Sequence, residues 1–173
     1  GSYGDNNTVV IENGAHIGDS ATPSENICVG DHTSATNNRL IVRTGGYVNC
    51  LSDATTVGYN GNNNILEVNN ASYTCSSVRV GYSSNSHHNV AMFKNGAKAG
   101  LSLSPSVYVI CGQLEGSYSN TLIVQDPGTE VSLVRTRTGD AGWGNRLIVS
   151  NGASVYTPAV SARDLVIGYD TMS

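Results

Sequence analysis

The chain has 173 residues, of which 13% are charged, and its formal net charge is -4, with 9 Lys and Arg against 13 Asp and Glu. This balance argues against a basic surface that follows a phosphate backbone, so we expect no nucleic-acid partner. No run of about 18 apolar residues occurs, so we expect no membrane insertion by this segment. The composition, rich in Gly, Asn, Ser and Thr, suits a β-rich extracellular protein.

One phrase returns six times along the chain: an Asn, a strand with alternating apolar residues, a tight turn and a second short strand. The copies begin at Asn7, Asn38, Asn64, Asn89, Asn120 and Asn145. Each copy ends with a third short strand that runs into a glycine, at Gly30, Gly58, Gly81, Gly112, Gly139 and Gly168. Three short strands repeated at a regular period predict an all-β solenoid of six three-stranded coils.

The coils differ in length. Successive leading asparagines are 25 residues apart at Asn64 and Asn89, but 31 residues apart at Asn89 and Asn120. The extra residues of the two long coils fall in polar stretches, at 20–26 and 102–106, which we expect to loop outward without disturbing the stack.

Strand alternation predicts which side chains point into the solenoid. The inward pairs of the first strand are all apolar: Val9/Ile11, Leu40/Val42, Leu66/Val68, Ala91/Phe93, Leu122/Val124 and Leu147/Val149. In the second strand, an inward row forms if coil three lacks the turn glycine and coil five has an extra turn residue. That row reads Ile17, Val48, Tyr73, Ala99, Val131 and Val155.

The six leading asparagines should form a column, because stacked coils place equivalent residues about 4.8 Å apart. A side-chain amide both donates and accepts hydrogen bonds, so each Asn can bond to the coils above and below it. We therefore interpret these residues as structural. The Asn-Gly pairs that begin at Asn13, Asn95 and Asn151 should supply the positive φ that a tight corner requires.

The repeated phrase, written out at Asn145-Arg-Leu-Ile-Val-Ser-Asn-Gly-Ala-Ser-Val155, resembles the autotransporter-associated and related β-helix repeats of bacterial secreted and surface proteins. The resemblance covers Asn7 to Gly168 and implies a right-handed, single-stranded parallel β-helix. We expect one domain over 1–173, either a fragment of a longer repeat array or a subunit that stacks end to end. Such scaffolds carry adhesins, stalks and pectate-lyase-like enzymes, so the resemblance specifies fold more than function.

An enzyme of this fold that acts on acidic sugars would need carboxylates and cations on one outer face. Four outward residues of the first strands could approach one another: Glu12, Arg43, Glu67 and Lys94. The alternative interpretation is a set of solvated cross-strand ion pairs, each weak.

The middle outward column of the first strands is unusually apolar. Its members are Val10, Ile41, Glu67, Met92, Ile123 and Ile148. A strand that is apolar on both faces is typical of a covered sheet, so this column predicts a packing or partner surface.

Tyr59 and Tyr82 follow closing glycines in neighbouring coils, and Tyr47 is predicted to face outward nearby in sequence. These three residues could form an aromatic platform for sugar rings, although aromatic residues also stack for structural reasons in solenoids.

The histidines His16, His32, His87 and His88 show no metal-ligand spacing, so we expect no metal site and no cofactor. Cys50 and Cys75 fall in one inward row of adjacent coils, within disulfide range. They are equally well interpreted as buried free thiols.

We therefore hypothesise a structural or adhesive module of an extracellular or cell-surface protein, acting as a stalk, filament subunit or partner-binding scaffold. Its partners would be copies of itself, met end to end or laterally, or a carbohydrate or protein ligand. The alternative is a lyase or hydrolase of acidic polysaccharide built on the same β-helix.

Overall fold

A computed structural model describes residues 3–19, 21, 23–24, 26–101, 108–156 and 164–168. These residues form sixteen strands, in chain order β1 (Thr8–Ile11), β2 (His16–Ile17), β3 (Ile27–Val29), β4 (Arg39–Arg43), β5 (Tyr47–Val57), β6 (Ile65–Asn69), β7 (Ser72–Val80), β8 (Val90–Lys94), β9 (Lys98–Leu101), β10 (Val109–Cys111), β11 (Thr121–Gln125), β12 (Glu130–Leu133), β13 (Arg135–Thr138), β14 (Arg146–Ser150), β15 (Ser154–Tyr156) and β16 (Asp164–Ile167). The described residues contain no helix, and hence no helix long and apolar enough to cross a membrane.

The first sheet stacks β1, β4, β6, β8, β11 and β14 in that order, and every pairing is parallel. Its register aligns Leu40 with Leu66 and Leu122 with Leu147. The six strands are equivalent members of successive repeats, so the chain makes five full turns between the first and the last. The predicted parallel β-helix is therefore confirmed.

The second and third strands of each coil join in one branched ten-stranded sheet, because β5 and β7 are long enough to run through both positions. Val48 pairs with Tyr73, Tyr73 with Ala99, and Ala99 with Val131. This is the inward row predicted from a shortened turn in coil three and a lengthened turn in coil five. Both shifts are confirmed.

The leading asparagines hold the coils together, as predicted. Asn64 donates its backbone N–H and its side-chain Nδ2–H to Oδ1 of Asn89, at 2.9 and 3.1 Å. Asn89 makes the same two bonds to Asn120, both at 3.0 Å. The pattern runs from Asn7 to Asn145. We call these six residues the asparagine column, and the four inner members are buried.

The closing glycines leave room for this column. Gly81 has a φ of +75°, and a Cβ at this position would overlap the side-chain amide of Asn120. Only glycine meets both requirements, because other residues rarely adopt a positive φ and all of them carry a Cβ. The glycines that end the first four coils are thus packing partners of the asparagine column, whereas Gly139 and Gly168 do not meet it.

The interior is apolar, and its largest side chains are Tyr73 and Phe93, which meet edge to face with ring centroids 6.3 Å apart. The predicted inward positions of the first sheet are buried in the inner strands, but at the sheet edges only Ile11 is buried. Val9 in β1 is 53% exposed and Val149 in β14 is 46% exposed, since each strand has a neighbour on one side only in the first sheet. Inward direction is therefore not sufficient for burial.

Coil five keeps the common register although its third strand carries threonines. Thr136 pairs with Val109 and with Leu165, and Thr138 pairs with Cys111. Both threonines are buried, so the substitution makes this part of the interior polar without shifting the strand. The predicted loop at 102–106 lies outside the described residues, as do positions 20, 22 and 25 of the loop at 20–26.

Candidate functional site

The predicted charged set on the outer face of the first sheet forms two separate ion-paired groups. Arg43 Nε lies 2.6 Å from Glu12 Oε2. Glu67 binds Lys94 at 3.0 Å and also Arg39 at 3.6 Å. A carboxylate engaged by a cation is a poor general base. The Arg43–Glu12 pair is exposed, and an exposed pair contributes about 0–1 kcal/mol. The geometry fits surface ion pairs, and a catalytic role for these residues stays a prediction.

Sequence reasoning missed Arg39, which occupies an outward position at the start of β4. The register pairs Arg39 with Ile65, so its side chain reaches diagonally to Glu67 two residues further along the neighbouring strand. Such diagonal contacts lie within reach of a long side chain. The leading asparagines predict this register, so the diagonal contact between Arg39 and Glu67 could have been inferred from the sequence.

The apolar outer column is aligned as predicted. Val10 pairs with Ile41, Met92 with Ile123, and Ile123 with Ile148, with Glu67 interrupting the row. Val10 is 43% exposed, and the other four apolar members are partly buried by their neighbours. A partner on this surface stays a prediction.

The outer face of the second strands carries a groove that the sequence did not reveal. A concavity of about 500 Å³ is lined by Tyr47, Ser72, Thr74, Lys98, Ala99, Gly100, Glu130, Ser132 and Tyr156. A second concavity of about 370 Å³ adjoins it and shares Tyr47, Ser72 and Lys98. We call the two together the second-sheet groove. Its floor is made of small residues because Gly100 lacks a side chain between Thr74 and Ser132.

Two residues of the predicted sugar platform lie together, and the third lies elsewhere. The rings of Tyr59 and Tyr82 stack with centroids 4.6 Å apart and an interplanar angle of 12°. The guanidinium of Arg79 lies 5.4 Å from the centre of the Tyr82 ring. Tyr47 lines the second-sheet groove, at the start of β5. Stacking occupies the facing sides of Tyr59 and Tyr82, so this pair resembles a structural stack more than an open platform.

A second aromatic stack precedes the asparagine column. His87, Tyr118 and Trp143 occupy the position two residues before the leading Asn of coils four, five and six, and we call them the aromatic column. His87 stacks on Tyr118 and Tyr118 on Trp143, each with centroids 4.6 Å apart. Trp143 is 63% exposed. Aligning the coils on their leading Asn places these three residues in one column. Aligning them on the closing glycine does not, because the turns between the closing glycine and the next leading Asn differ in length.

Cys50 and Cys75 lie side by side in the interior, as predicted, and both are free thiols. Cys50 also shares a hydrogen bond with Thr55 at 3.2 Å, and Thr55 shares one with the Tyr73 hydroxyl at 2.7 Å. The hydrogen bond from the Cys75 thiol lowers the pKa of Cys50, whereas burial raises the pKa of Cys75 well above its usual range. Their register is compatible with a disulfide, which stays a prediction.

The remaining cysteines are not partners for this pair. Cys28 is exposed and Cys111 is buried. Burial raises the pKa of Cys111 to about 12. A thiol with so high a pKa is protonated at neutral pH and is a poor nucleophile.

No group of three or more His, Cys, Asp or Glu side chains converges within the part of the chain that the structure describes. No protein-family model, curated protein or solved structure matches this chain. The fold therefore stands on its strand pairing, and membership of the autotransporter-associated repeats remains a proposal.

Proposed function

We propose that this chain is a structural or adhesive β-solenoid module of an extracellular or cell-surface protein, serving as a rigid stalk, filament element or partner-binding scaffold. The observation that carries the proposal is the asparagine column. One amide per coil, buried in the four inner coils, links each turn of the chain to the next by two hydrogen bonds. Buried networks whose members are all paired are rigid, which suits a load-bearing or display element.

The second-sheet groove supplies the adhesive part of the proposal. It runs across five neighbouring strands, from Tyr47 in β5 to Tyr156 in β15, which is a span of roughly 19 Å at a strand spacing of about 4.8 Å. The Ser and Thr side chains on its floor offer hydroxyl groups, and a tyrosine at each end offers an apolar ring with a polar tip. A shallow, extended groove that combines hydroxyl groups with apolar surface fits a carbohydrate chain or an extended peptide.

A carbohydrate-active enzyme is the second candidate, and one observation favours it. Lys98 and Glu130 form an ion pair at 2.7 Å in the same groove, and both side chains are about half exposed. Glu130 is a poor general base while it is paired with Lys98, but an acidic sugar that took Lys98 as its own counter-ion would free the Glu130 carboxylate for proton abstraction. The four residues predicted from the sequence lie on a different sheet, so the groove is the better place for such chemistry.

One experiment separates the two candidates. The chain is incubated with pectin, alginate and glycosaminoglycan oligosaccharides, while binding is followed by calorimetry and product release by mass. We expect saturable binding of at least one oligosaccharide, no product, and at least tenfold weaker binding in Tyr47→Ala and Tyr156→Ala. Tyr59→Ala is the matched control, because Tyr59 is a tyrosine outside the groove.

The outcomes are distinct. Product release that Glu130→Gln or Glu67→Ala abolishes would replace the scaffold by the enzyme. Absence of binding to every oligosaccharide would remove carbohydrate as the ligand of the groove, and would leave a peptide or protein ligand for the adhesive role.

The apolar outer column is the surface proposed for lateral self-association. Light scattering over a concentration series tests this, with Ile123→Lys as the disrupting variant and Thr121→Lys as its control on the same strand. We expect association that the first variant abolishes and the second retains. A mass that is independent of concentration would remove the column as a self-association surface.

A further inference from the structure

Two histidines in the turn before β8 hold their ring nitrogens together. Nδ1 of His87 lies 2.9 Å from Nδ1 of His88, and the two rings are nearly perpendicular, at 89°. At the equivalent positions of the preceding coil the chain carries Asn62 and Asn63. The His-His pair therefore departs from its own repeat, and the stack itself does not require it.

The backbone of this pair is fixed by its neighbours. The His87 N–H donates to Oδ1 of Asn62 at 2.9 Å, and the His88 N–H donates to the carbonyl of Tyr118 at 3.3 Å. The His87 ring also stacks on Tyr118, at 4.6 Å and 21°. His88 has a φ of +57°, like Asn63 before it and Ser119 after it. The two imidazoles thus converge from a turn whose conformation is set by the solenoid.

A nitrogen–nitrogen distance of 2.9 Å has a simple chemical meaning. Without a metal, one Nδ1 must carry a proton and donate it to the lone pair of the other. A divalent metal can replace that proton, since a metal held by two nitrogens at about 2.05 Å places them about 2.9 Å apart at a 90° angle and about 3.35 Å apart at a tetrahedral angle. The observed spacing matches the 90° angle between adjacent ligands in a square-planar or tetragonal complex.

From this juxtaposition we infer that His87 and His88 form a two-nitrogen chelate for a square-planar or tetragonal divalent transition metal, with Cu(II) as the preferred ion. Cu(II) and Ni(II) adopt this geometry with imidazole ligands, and Cu(II) binds more tightly in the usual order of affinities. Zn(II) prefers the tetrahedral angle. Water completes the coordination, because no third ligand from the described residues joins the pair.

Neutral imidazole is the form that ligates metals, so a metal bound by both rings replaces the proton between the two Nδ1 atoms. The sequence search for three or four ligands at a repeated spacing did not find this site, because it consists of two adjacent residues.

The chain contains an internal reporter for this site. Its one tryptophan, Trp143, stacks on Tyr118, which stacks on His87. Cu(II) bound at His87 should therefore quench the fluorescence of Trp143. The measurements are made in a Cys28→Ser background, because Cys28 is an exposed thiol and thiols reduce Cu(II).

The experiment is a Cu(II) sulfate titration of the full chain, followed by Trp143 fluorescence and by electron paramagnetic resonance. We expect saturable 1:1 quenching and a signal with hyperfine coupling from two nitrogens. His87→Asn and His88→Asn should each weaken binding at least tenfold, and His16→Asn and His32→Asn should leave it unchanged. The two test variants restore the residue type of the preceding coil, so both should fold, as circular dichroism will show.

Two results would overturn the inference. Quenching that is equal in His87→Asn and in the parent would place the metal elsewhere. Tighter binding of Zn(II) than of Cu(II) would show that the nitrogens do not hold the 90° geometry. A parallel titration with Ni(II) guards against a redox artefact, because thiols do not reduce Ni(II). The affinity for Ni(II) should lie between those for Cu(II) and Zn(II).

Discussion

Two columns of residues run side by side along one corner of the solenoid and differ in almost every respect. The asparagine column is the same residue six times and is buried in its inner four members. The position two residues earlier reads Asp5, Thr36, Asn62, His87, Tyr118 and Trp143. Both columns have the same coil-to-coil spacing, so spacing alone does not decide which residues a repeat accepts.

The difference lies in which atoms form the bonds between coils. In the asparagine column the side chain itself closes the contact, and Asn89 accepts from Asn64 and donates to Asn120. At the earlier position the main chain forms the bonds between coils. The backbone carbonyl of His87, for example, accepts from the backbone N–H of Asn63 in the preceding coil, and that of Tyr118 accepts from the N–H of His88. A buried position bonded by its side chain is fixed chemically, and an exposed position bonded by its backbone is open to function.

The largest test of this comparison is Asn89→Ala against His87→Ala, two residues apart in one turn. Asn89→Ala leaves the buried N–H of Asn64 without a partner, which costs about 1–3 kcal/mol, and it removes the other four hydrogen bonds of the Asn89 side chain. We expect a loss of about 3–5 kcal/mol in the free energy of unfolding, measured by urea denaturation. His87→Ala should cost only about 0.5–1.5 kcal/mol, the value of one aromatic contact. Equal losses would show that the two columns do not differ in this way.

The closing glycines provide a second test. Gly81 and Gly45 have nearly the same φ, +75° and +76°, but an added Cβ overlaps Asn120 at Gly81 and meets nothing within 4 Å at Gly45. Both alanine variants incur the left-handed backbone cost of about 1–2 kcal/mol. Gly81→Ala should lose about 2 kcal/mol more by displacing the buried amide. If thermal denaturation shows the same stability for the two variants, glycine is required at position 81 only for its positive φ and not for its contact with Asn120.

The fold could be predicted from the sequence because its determinants are repeated. The leading Asn sets the register of each coil, and the two turn adjustments near Asn70 and Asp126 brought Tyr73 and Val131 into one row. The pairing of strands confirms all of this. Six copies of one pattern supply a consistency check that a single copy lacks.

The surfaces could be predicted only in part, since they depend on residues that do not repeat. The second-sheet groove exists because small residues of three coils, on β7, β9 and β12, adjoin one another and Tyr156 closes its far end. The aromatic column was missed because His87 lies six positions after Gly81, whereas Trp143 lies only four positions after Gly139. The strand register determines which residues are neighbours, but turn length and side-chain length determine whether those neighbours form a groove or a stack.

Buried hydroxyl groups extend the comparison to the interior. Thr55 bonds to both Cys50 and Tyr73, whereas Oγ1 of Thr138 has no hydrogen-bond partner among the described residues. Thr55→Val should cost about 1–2 kcal/mol because the Tyr73 hydroxyl loses this partner in a buried site. Thr138→Val should be neutral or slightly stabilising by urea denaturation, as its inward row already holds Val57 and Val80. A large loss in Thr138→Val would contradict the view that a buried polar side chain stabilises only when it is bonded.

The smallest effect concerns the pH dependence of stability, which should distinguish the aromatic column from the asparagine column. The pKa of His87 lies below its ordinary value of 6.5, mainly through burial and secondly through His88. The unfolded chain therefore takes up this proton at a higher pH than the folded chain, and stability falls as the pH drops below about 6.5 until the folded imidazole is also protonated. Urea denaturation at a series of pH values should show that the free energy of unfolding declines less steeply with falling pH in His87→Asn than in the unsubstituted chain. His88→Asn should keep most of the slope of stability against pH, because it removes only the smaller cause of the lowered His87 pKa. An equal flattening in both variants would show that the charge of His88, and not burial, is the main cause. The asparagine column has no titrating group, so Asn89→Ala should lower the whole pH profile without changing its shape.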